Sequence, residues 1–553
     1  MECDLTCGIR LIIPPGIDPR SPWLATLLGY FTGRHISFST FQFFAFLKAL
    51  IYRFSPGALH SVYQRIEASP LGYRLAKGAF WSLSGALISR GLGLLSAILV
   101  GRMLGKQEYG ELGIIQNTIG MFGTLAGFGM GLTANKYVAE FKRTDPDRAG
   151  RIIALASATA WISSGVMAVV LVVCAPWLAA KTLAAPHLAG LLQIGALLLL
   201  SSGVNGAQTG ALSGFEAFKR IAHINLISGL LTFPLMVIGA GEWGVTGAVW
   251  GLIGSQVANC VMSFLAVRVE AAHYHIPLRY TGCFSDLSLF WRFSLPAVLT
   301  GLLNSVASWG AGALVVNQIG GYGDMGIYNA ALRVKQVPEL FLGMLIAPML
   351  PILSEAFGKG DRVTYQRTLL FNFVLATLII VPISLVQAAA PALTMMPFGA
   401  EYQSHPAIVT WLMLHAVLNA VTFPMGSILI SMGEMWFSWL VNFQFALLFA
   451  GTAWFLVPRY GAAGYAAATT LAFAVGSIPC IIFVYRKQTD AMQFLRWGLL
   501  LVTVVALFGG CTLAARWLPF GLASVAGMAA AVGFLLFNYR TLDSLRSMPV
   551  RVS

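Results

Sequence analysis

Residues 89–110 read SRGLGLLSAILVGRMLGKQEYG, an apolar helical segment with one arginine, followed by a turn bracketed by Gly101 and Gly110. The apolar run begins at residue 79, so Arg90 lies eleven residues inside it, which is near the bilayer midplane at 1.5 Å per residue. A cation at this depth costs roughly 2.5–3.5 kcal/mol on insertion scales. We therefore predict that Arg90 faces a polar partner or a water-filled cavity. The alternative is an ordinary hydrogen bond between helices.

The composition indicates a membrane protein. The chain has 553 residues, of which 57% are hydrophobic and 10% charged, whereas soluble proteins carry about 25% charged residues. The net charge of +14 comes from lysines and arginines in the connectors between apolar runs. This distribution argues against a nucleic-acid partner, which requires cations clustered on one soluble face. The seven cysteines are scattered and predict neither a metal site nor a disulfide framework.

Apolar runs of about 20 residues, the length that spans a bilayer, alternate with short connectors from residue 79 onward. We predict an all-α integral membrane protein with about fourteen transmembrane helices. The runs cover residues 79–100, 111–134, 151–174, 189–212, 221–240, 244–267, 293–317, 326–350, 368–390, 407–431, 435–457, 461–484, 497–515 and 518–537.

Residues 1–78 precede these runs as a cytoplasmic or interfacial extension. Its segment Ile36–Phe54 is rich in phenylalanine but carries Lys48 well inside. The lysine favours an amphipathic helix that lies at the membrane interface. An additional span is the alternative.

Lysine and arginine placement predicts the orientation. The connectors that follow even-numbered runs hold sixteen of these residues, whereas those that follow odd-numbered runs hold five. Because cytoplasmic loops carry the excess of positive charge, the even-numbered connectors and both termini are expected in the cytoplasm.

The sequence also repeats itself. Residues 242–251 resemble residues 459–468, and the turn 101–110 resembles 317–326; all four matching pairs that we find are offset by 215 to 219 residues. We predict two six-helix lobes, at 79–268 and 285–487. A parallel repeat of this kind places a substrate path between the lobes. The last two helices, within 494–537, and the cytoplasmic tail 538–553 lie outside the repeat.

Charged residues inside the predicted spans are few. Besides Arg90, the eighth run holds Arg333, Lys335 and Glu339, of which the last two are four residues apart and share a helix face. We interpret the excess of cations as the wall of a cavity that binds an anionic head group. The predicted substrate-binding residues are Arg90, Arg333, Lys335, Asn117, Gln208, Asn304, Ser305 and Asn419. Lys335 and Glu339 are alternatively a structural ion pair or a coupling site, and each polar residue alone is alternatively a contact between helices.

Several short motifs resemble those of a known family. They are Gly101-Arg-x-Leu-Gly105, Tyr109-Gly110, Gly210-x-x-x-Gly214-x-Glu216 and Gly326-Ile-Tyr328-Asn-Ala330. They look like the polysaccharide-biosynthesis flippases, the Wzx-type members of the multidrug/oligosaccharidyl-lipid/polysaccharide (MOP) exporter superfamily. Ser89-Arg90-x-Leu-Gly93 also resembles the first helix of the lipid II flippases, where an arginine at this place lines the cavity.

The sequence holds no catalytic or nucleotide-binding motif, so we predict that the protein is not an enzyme and needs no cofactor. The resemblance implies a bacterial inner-membrane protein. It would move an undecaprenyl-pyrophosphate-linked oligosaccharide to the periplasmic leaflet by alternating access between two lobes. Its partners would be this substrate, membrane lipids, and a polysaccharide polymerase with export machinery.

Three alternatives stay open. A multidrug exporter or the lipid II flippase would have the same superfamily fold. A membrane polysaccharide polymerase or ligase would need a large external catalytic loop, but the longest external connector is only about 390–406.

Overall fold

The computed structural model describes residues 2–4, 10–12, 70–127, 129–278, 280, 288–358, 361–432, 434–488, 506–510, 522 and 525–534. The chain divides into two compact units, Met1–Lys77 and Gly78–Ser553. In the first unit, strands β1 (Glu2–Asp4) and β2 (Arg10–Ile12) pair in antiparallel fashion. The predicted interfacial segment Ile36–Phe54 lies outside the described residues.

Helices follow one another along the rest of the described chain. In order, they are α1 (Pro70–Ala126), α2 (Met130–Phe141), α3 (Pro146–Trp177), α4 (Ala189–Gly214), α5 (Phe218–His273), α6 (Ser288–Val316), α7 (Gly321–Gly358), α8 (Arg362–Ala389), α9 (Pro391–Met395), α10 (Pro406–Ser431), α11 (Met435–Gly476) and α12 (Ile478–Gln488). Shorter helical stretches occupy residues 506–510 and 525–534.

The length and hydropathy of these helices confirm a helical membrane protein. Within the described residues, seven helical stretches are long and apolar enough to cross a membrane. Three of them contain a kink, and each extends over all or most of two predicted spans: Leu87–Ala126, Phe218–His273 and Trp436–Phe483. The count of fourteen stays a prediction, because the spans at 497–515 and 518–537 are described only in part.

The kinks in α5 and α11 fall on equivalent glycines of the sequence repeat. Gly244 has φ 58° and ψ −139°, and Gly461, 217 residues later, has φ 54° and ψ −134°. A positive φ suits glycine because it has no Cβ to collide with the backbone. The two copies of the motif therefore make the same turn, although the division into two lobes stays a prediction.

The second predicted span, 111–134, is not one continuous helix. Helix α1 ends at Ala126 and α2 begins at Met130, after Gly129 with φ 63°. The apolar pattern of the predicted run therefore continues across a left-handed glycine that interrupts the helix. The helix resumes against α4: a Cβ on Gly131 would lie 2.6 Å from the Gly206 carbonyl oxygen.

A buried lysine ties α2 to the end of α4. Lys142 is only 5% exposed, and its Nζ donates to the Gly214 carbonyl oxygen at 3.0 Å and to Glu216 Oε1 at 2.9 Å. The carbonyl is one of the unpaired acceptors at a helix carboxyl end. These contacts give a structural reason for the Gly214-x-Glu216 motif.

Lys142→Met is expected to lower the thermal stability of the detergent-solubilised protein. The change leaves the Gly214 carbonyl without its donor, which costs about 1–3 kcal/mol. Thermal unfolding followed by size-exclusion chromatography measures the loss. Arg143→Met is the matched control, because Arg143 is the exposed neighbour; an equal loss in both variants would contradict the role of Lys142.

Candidate functional site

Helices α1 and α7 cross with a glycine on each side. A Cβ added to Gly110 would lie 1.9 Å from the Tyr322 carbonyl oxygen, and one added to Gly326 would lie 1.9 Å from the Lys106 carbonyl oxygen. Gly326 follows Gly110 by 216 residues, and Tyr322 follows Lys106 by the same number. The contact between residues 79–268 (the first half) and 285–487 (the second half) is thus reciprocal, and only glycine allows it on either side.

Connectors of the second half hold the turn of the first. Arg102, just before the Gly105 kink, donates to the carbonyl oxygens of Met396 and Pro397. The Tyr402 hydroxyl donates to the Gly101 carbonyl oxygen at 2.7 Å. Burial raises the pKa of Tyr402, so its hydroxyl keeps the proton that it donates.

Connectors of the first half hold the second in the same way. Asn317 Nδ2 donates to the Thr182 carbonyl oxygen, and the Tyr322 hydroxyl donates to that of Leu183, both at 2.7 Å. We call this end of the helices, with the Gly110–Gly326 crossing and connectors 101–105, 178–188, 317–322 and 391–405, the closed end.

A cavity of about 630 Å³ separates α1 from α7 further along these helices. We call it the charged cavity. It is lined by Leu87, Ser89, Arg90, Gly91, Gly93 and Leu94 of α1 and by Arg333, Gln336, Val337, Glu339 and Leu340 of α7.

The two arginines of this cavity differ in their contacts. Arg90 is exposed to it and, within the described residues, makes no hydrogen bond or ion pair. Arg333 donates through Nη2 to Gln116 Oε1 at 3.0 Å and lies beside the Tyr109 hydroxyl. Within the described part of the chain, the charged cavity therefore offers one uncommitted guanidinium and a second whose contacts are with neutral groups.

A second cavity, of about 530 Å³, continues toward the closed end. We call it the amide cavity. It shares Gly93, Arg333 and Gln336 with the charged cavity, and its lining reaches Tyr109 and Met325, the neighbours of the crossing glycines. Its other polar side chains are Ser96, Gln116, Asn117, Thr232, Ser308, Tyr328, Asn329 and Tyr465.

Lys335 is committed to a carboxylate. It is 6% exposed, and its Nζ lies 3.1 Å from Glu339 Oε1, one helical turn away. The same oxygen accepts from Asn419 Nδ2 at 3.2 Å, and His415 Nδ1 lies 4.0 Å from it. Of this group, Glu339 lines the charged cavity, whereas the predicted binding residues Lys335 and Asn419 line neither cavity.

The remaining predicted binding residues contact other helices. Asn304 donates to Asn442 Oδ1 at 3.4 Å, and Ser305 Oγ lies 2.8 Å from Thr124 Oγ1. Gln208 is buried in the first half beside Cys260. These three side chains line neither cavity, so the structure gathers only Arg90, Arg333 and Asn117 of the predicted set on the cavity walls.

Several polar residues of the cavity walls were not among the predicted binding residues. Gln336 lines both cavities, and Tyr109 and Asn329 line the amide cavity. The i, i+3 spacing of Arg333 and Gln336 places them on one helix face and could have indicated Gln336. Tyr109 and Asn329 lie in glycine-containing motifs, which were read only as family signatures.

The chain is similar in sequence to one protein family and to individual transport proteins. The family model described as "Polysaccharide biosynthesis protein" matches residues 75–357. The Lipid III flippase of Escherichia coli K12 is 24% identical over 426 residues, which cover 75% of this chain and 99% of the relative. The lipopolysaccharide biosynthesis protein WzxC of the same organism is 24% identical over 382 residues, covering 67% of this chain and 73% of the relative.

Solved structures share the fold. The lipid II flippase MurJ, in an inward closed conformation, aligns with a TM-score of 0.63 and 14% identity over 84% of this chain and 99% of that one. A MOP superfamily transporter from Pyrococcus furiosus aligns with a TM-score of 0.56 and 17% identity over 77% and 96% of the two chains.

Proposed function

The chain belongs to the family of polysaccharide biosynthesis proteins, and from this premise we propose that it moves a lipid-linked oligosaccharide across a membrane. The cargo would carry a pyrophosphate between an undecaprenyl lipid and the sugars. The observation that carries the proposal is that Arg90 and Arg333, from different halves of the chain, line one cavity.

A pyrophosphate head group would explain the two arginines in the cavity. A pyrophosphate that leaves water must recover its hydration energy from hydrogen bonds and opposite charge. Guanidinium groups bind phosphate oxygens in bidentate geometry. Arg90 has no partner among the described residues and can do so, and Arg333 can exchange the neutral Gln116 oxygen for a charged one.

The position of the charged cavity also accommodates the lipid tail. Its walls come from α1 and α7. Leu87 on α1 is 48% exposed and Val337 on α7 is 38% exposed. Apolar side chains at this opening suit a polyprenyl chain that stays in the bilayer while the head group enters between the helices.

Alternating access would complete the cycle. The closed end carries odd-numbered connectors, which the charge bias assigns to the periplasm. If this predicted orientation holds, both termini would lie in the cytoplasm and the closed end would seal the cavities from the periplasm. Parting of the α1–α7 crossing would open the cavities to the other side. A polysaccharide polymerase and export machinery would take up the flipped cargo.

Translocation by the reconstituted protein tests this proposal. Proteoliposomes would hold a polyprenyl-pyrophosphoryl oligosaccharide with a fluorescent label on the sugar, and dithionite would quench the label in the outer leaflet. We expect protein-dependent loss of the protected signal in the inner leaflet. An inert protein, or equal transport of an unrelated cationic drug, would reject the proposal.

Within this function we assign Lys335 and Glu339 to a structural ion pair. Glu339→Leu would leave the Lys335 ammonium buried and is expected to destabilise the protein by about 3 kcal/mol. The double variant Lys335→Met/Glu339→Leu removes both charges and should recover most of that loss and retain translocation. Thermal unfolding and the liposome assay measure both; a stable double variant without transport would instead make the pair a coupling site.

A further inference from the structure

The amide cavity differs from the charged cavity in its chemistry. Among the described residues that line it, Arg333 carries the one charge, and that side chain is shared with the charged cavity. The rest of its polar wall consists of amides and hydroxyls. Such a surface recognises uncharged ligands that both donate and accept hydrogen bonds.

Three of its amides make no hydrogen bond within the part of the chain that the structure describes. Within the described residues, Asn117 and Gln336 make no hydrogen bond, and neither side chain is fully buried. The third, Asn329, has a buried Nδ2 that packs so closely on Gly113 that a Cβ there would lie 1.7 Å from it. Gln116 by contrast accepts from Arg333. Asn117 on α1 and Gln336 on α7 are therefore available to a ligand from two sides.

The connection between the cavities determines which part of the cargo meets these amides. Both cavities include Arg333 and Gln336. A group bonded directly to a phosphate held by Arg90 and Arg333 would extend into the amide cavity. Its volume of about 530 Å³ falls in the range of small-molecule sites, roughly 300–1,000 Å³.

Resting on the proposed function, we infer that the amide cavity binds the sugar attached to the pyrophosphate, and that this sugar is uncharged. Asn117 and Gln336 bind its hydroxyl or acetamido groups. The carboxylate of an acidic sugar would need a cation of its own. Among the described residues of this wall, the one cation is Arg333, and the phosphate would already occupy it.

Binding of three defined probes to the full-length protein in nanodiscs tests this inference. The probes are farnesyl pyrophosphate, its N-acetylglucosaminyl derivative and its glucuronosyl derivative. Wild type is expected to bind the N-acetylglucosaminyl probe at least about tenfold more tightly than the other two, since two or more hydrogen bonds are gained.

Replacing the amides should remove this preference selectively. The double variant Asn117→Leu/Gln336→Leu is expected to lower the affinity for the N-acetylglucosaminyl probe about tenfold. Its affinity for farnesyl pyrophosphate should change less than about twofold. The single variants Asn117→Ser and Gln336→Ser, with smaller expected losses, keep the test valid if the double variant does not fold. Asn259→Leu removes an amide of α5 that lines neither cavity and serves as the control.

The other outcomes are distinguishable. Equal weakening of all probes would make the amides part of the phosphate site, and no weakening would deny them a role; either overturns the inference. Tight binding of the glucuronosyl probe would overturn the requirement for a neutral sugar. If wild type binds none of the three, the proposed function itself fails.

Discussion

Arg90→Ala is expected to reduce translocation of the lipid-linked oligosaccharide by roughly 30-fold to more than 1,000-fold. Truncating one partner of a buried charge pair costs about 2–5 kcal/mol, and each 1.4 kcal/mol is a factor of ten. Arg90 has no protein partner within the described residues, so the protein loses little on its removal and the bound cargo loses most. The liposome assay measures the rate, and binding of farnesyl pyrophosphate measures the affinity.

The controls separate charge from packing. Arg90→Lys keeps the charge but loses bidentate geometry, and we expect it to retain an intermediate rate. Arg459→Ala removes an exposed arginine near the α11 kink that lines neither cavity, and should behave as wild type. An Arg90→Ala protein that is stable and transports normally would exclude Arg90 from cargo binding.

The sequence alone could point to Arg90, because the depth of a charged residue within an apolar run is read directly from the chain. An arginine eleven residues into an apolar run is anomalous whatever surrounds it, and the same reasoning finds Arg333. Arg333 is aligned with Asn117 in the repeat, 216 residues earlier. The two halves thus present different chemistry at equivalent positions, which suits an asymmetric cargo better than a symmetric scaffold.

The sequence does not show which polar side chains of the spanning helices face a cavity and which face another helix. Gln208, Asn304 and Ser305 are as polar as Asn117, yet they contact neighbouring helices or pack within the first half. Which face of a spanning helix meets a cavity depends on packing, and a polar residue satisfies itself equally well against another helix. A hydropathy pattern that is apolar all round gives no amphipathic stripe to decide the matter.

The α1–α7 crossing was not predicted either, although the sequence repeat contains its two glycines. Gly110 and Gly326 belong to motifs that the sequence analysis identified as a repeat. Their reciprocal contact belongs to the tertiary structure. Gly110 packs against the Tyr322 carbonyl oxygen, and Gly326 packs against that of Lys106. A glycine in a sequence does not reveal which backbone approaches it.

Gly110→Ala and Gly326→Ala are each expected to weaken closure of this end and to slow translocation severely. In either variant the new methyl group would lie 1.9 Å from a backbone carbonyl oxygen, which no rotamer change can relieve. Helices α1 and α7 must then separate. Overpacking of this kind costs about 1–3 kcal/mol, which corresponds to a shift of roughly 5- to 150-fold in the ratio of closed to open states.

Accessibility of the amide cavity measures that shift directly. In a background in which all seven cysteines are serine, Ser308→Cys places a thiol on the cavity wall. A membrane-impermeant maleimide, added from the periplasmic side, should label it slowly in the parent and severalfold faster with either alanine present. Gly120→Ala is the matched control on α1, because a Cβ there meets nothing within 4 Å.

Equal labelling in all variants would show that closure does not depend on the crossing, and that the hydrogen bonds of the connectors suffice. Faster labelling with unimpaired transport would separate closure from the transport cycle and contradict alternating access through this seam.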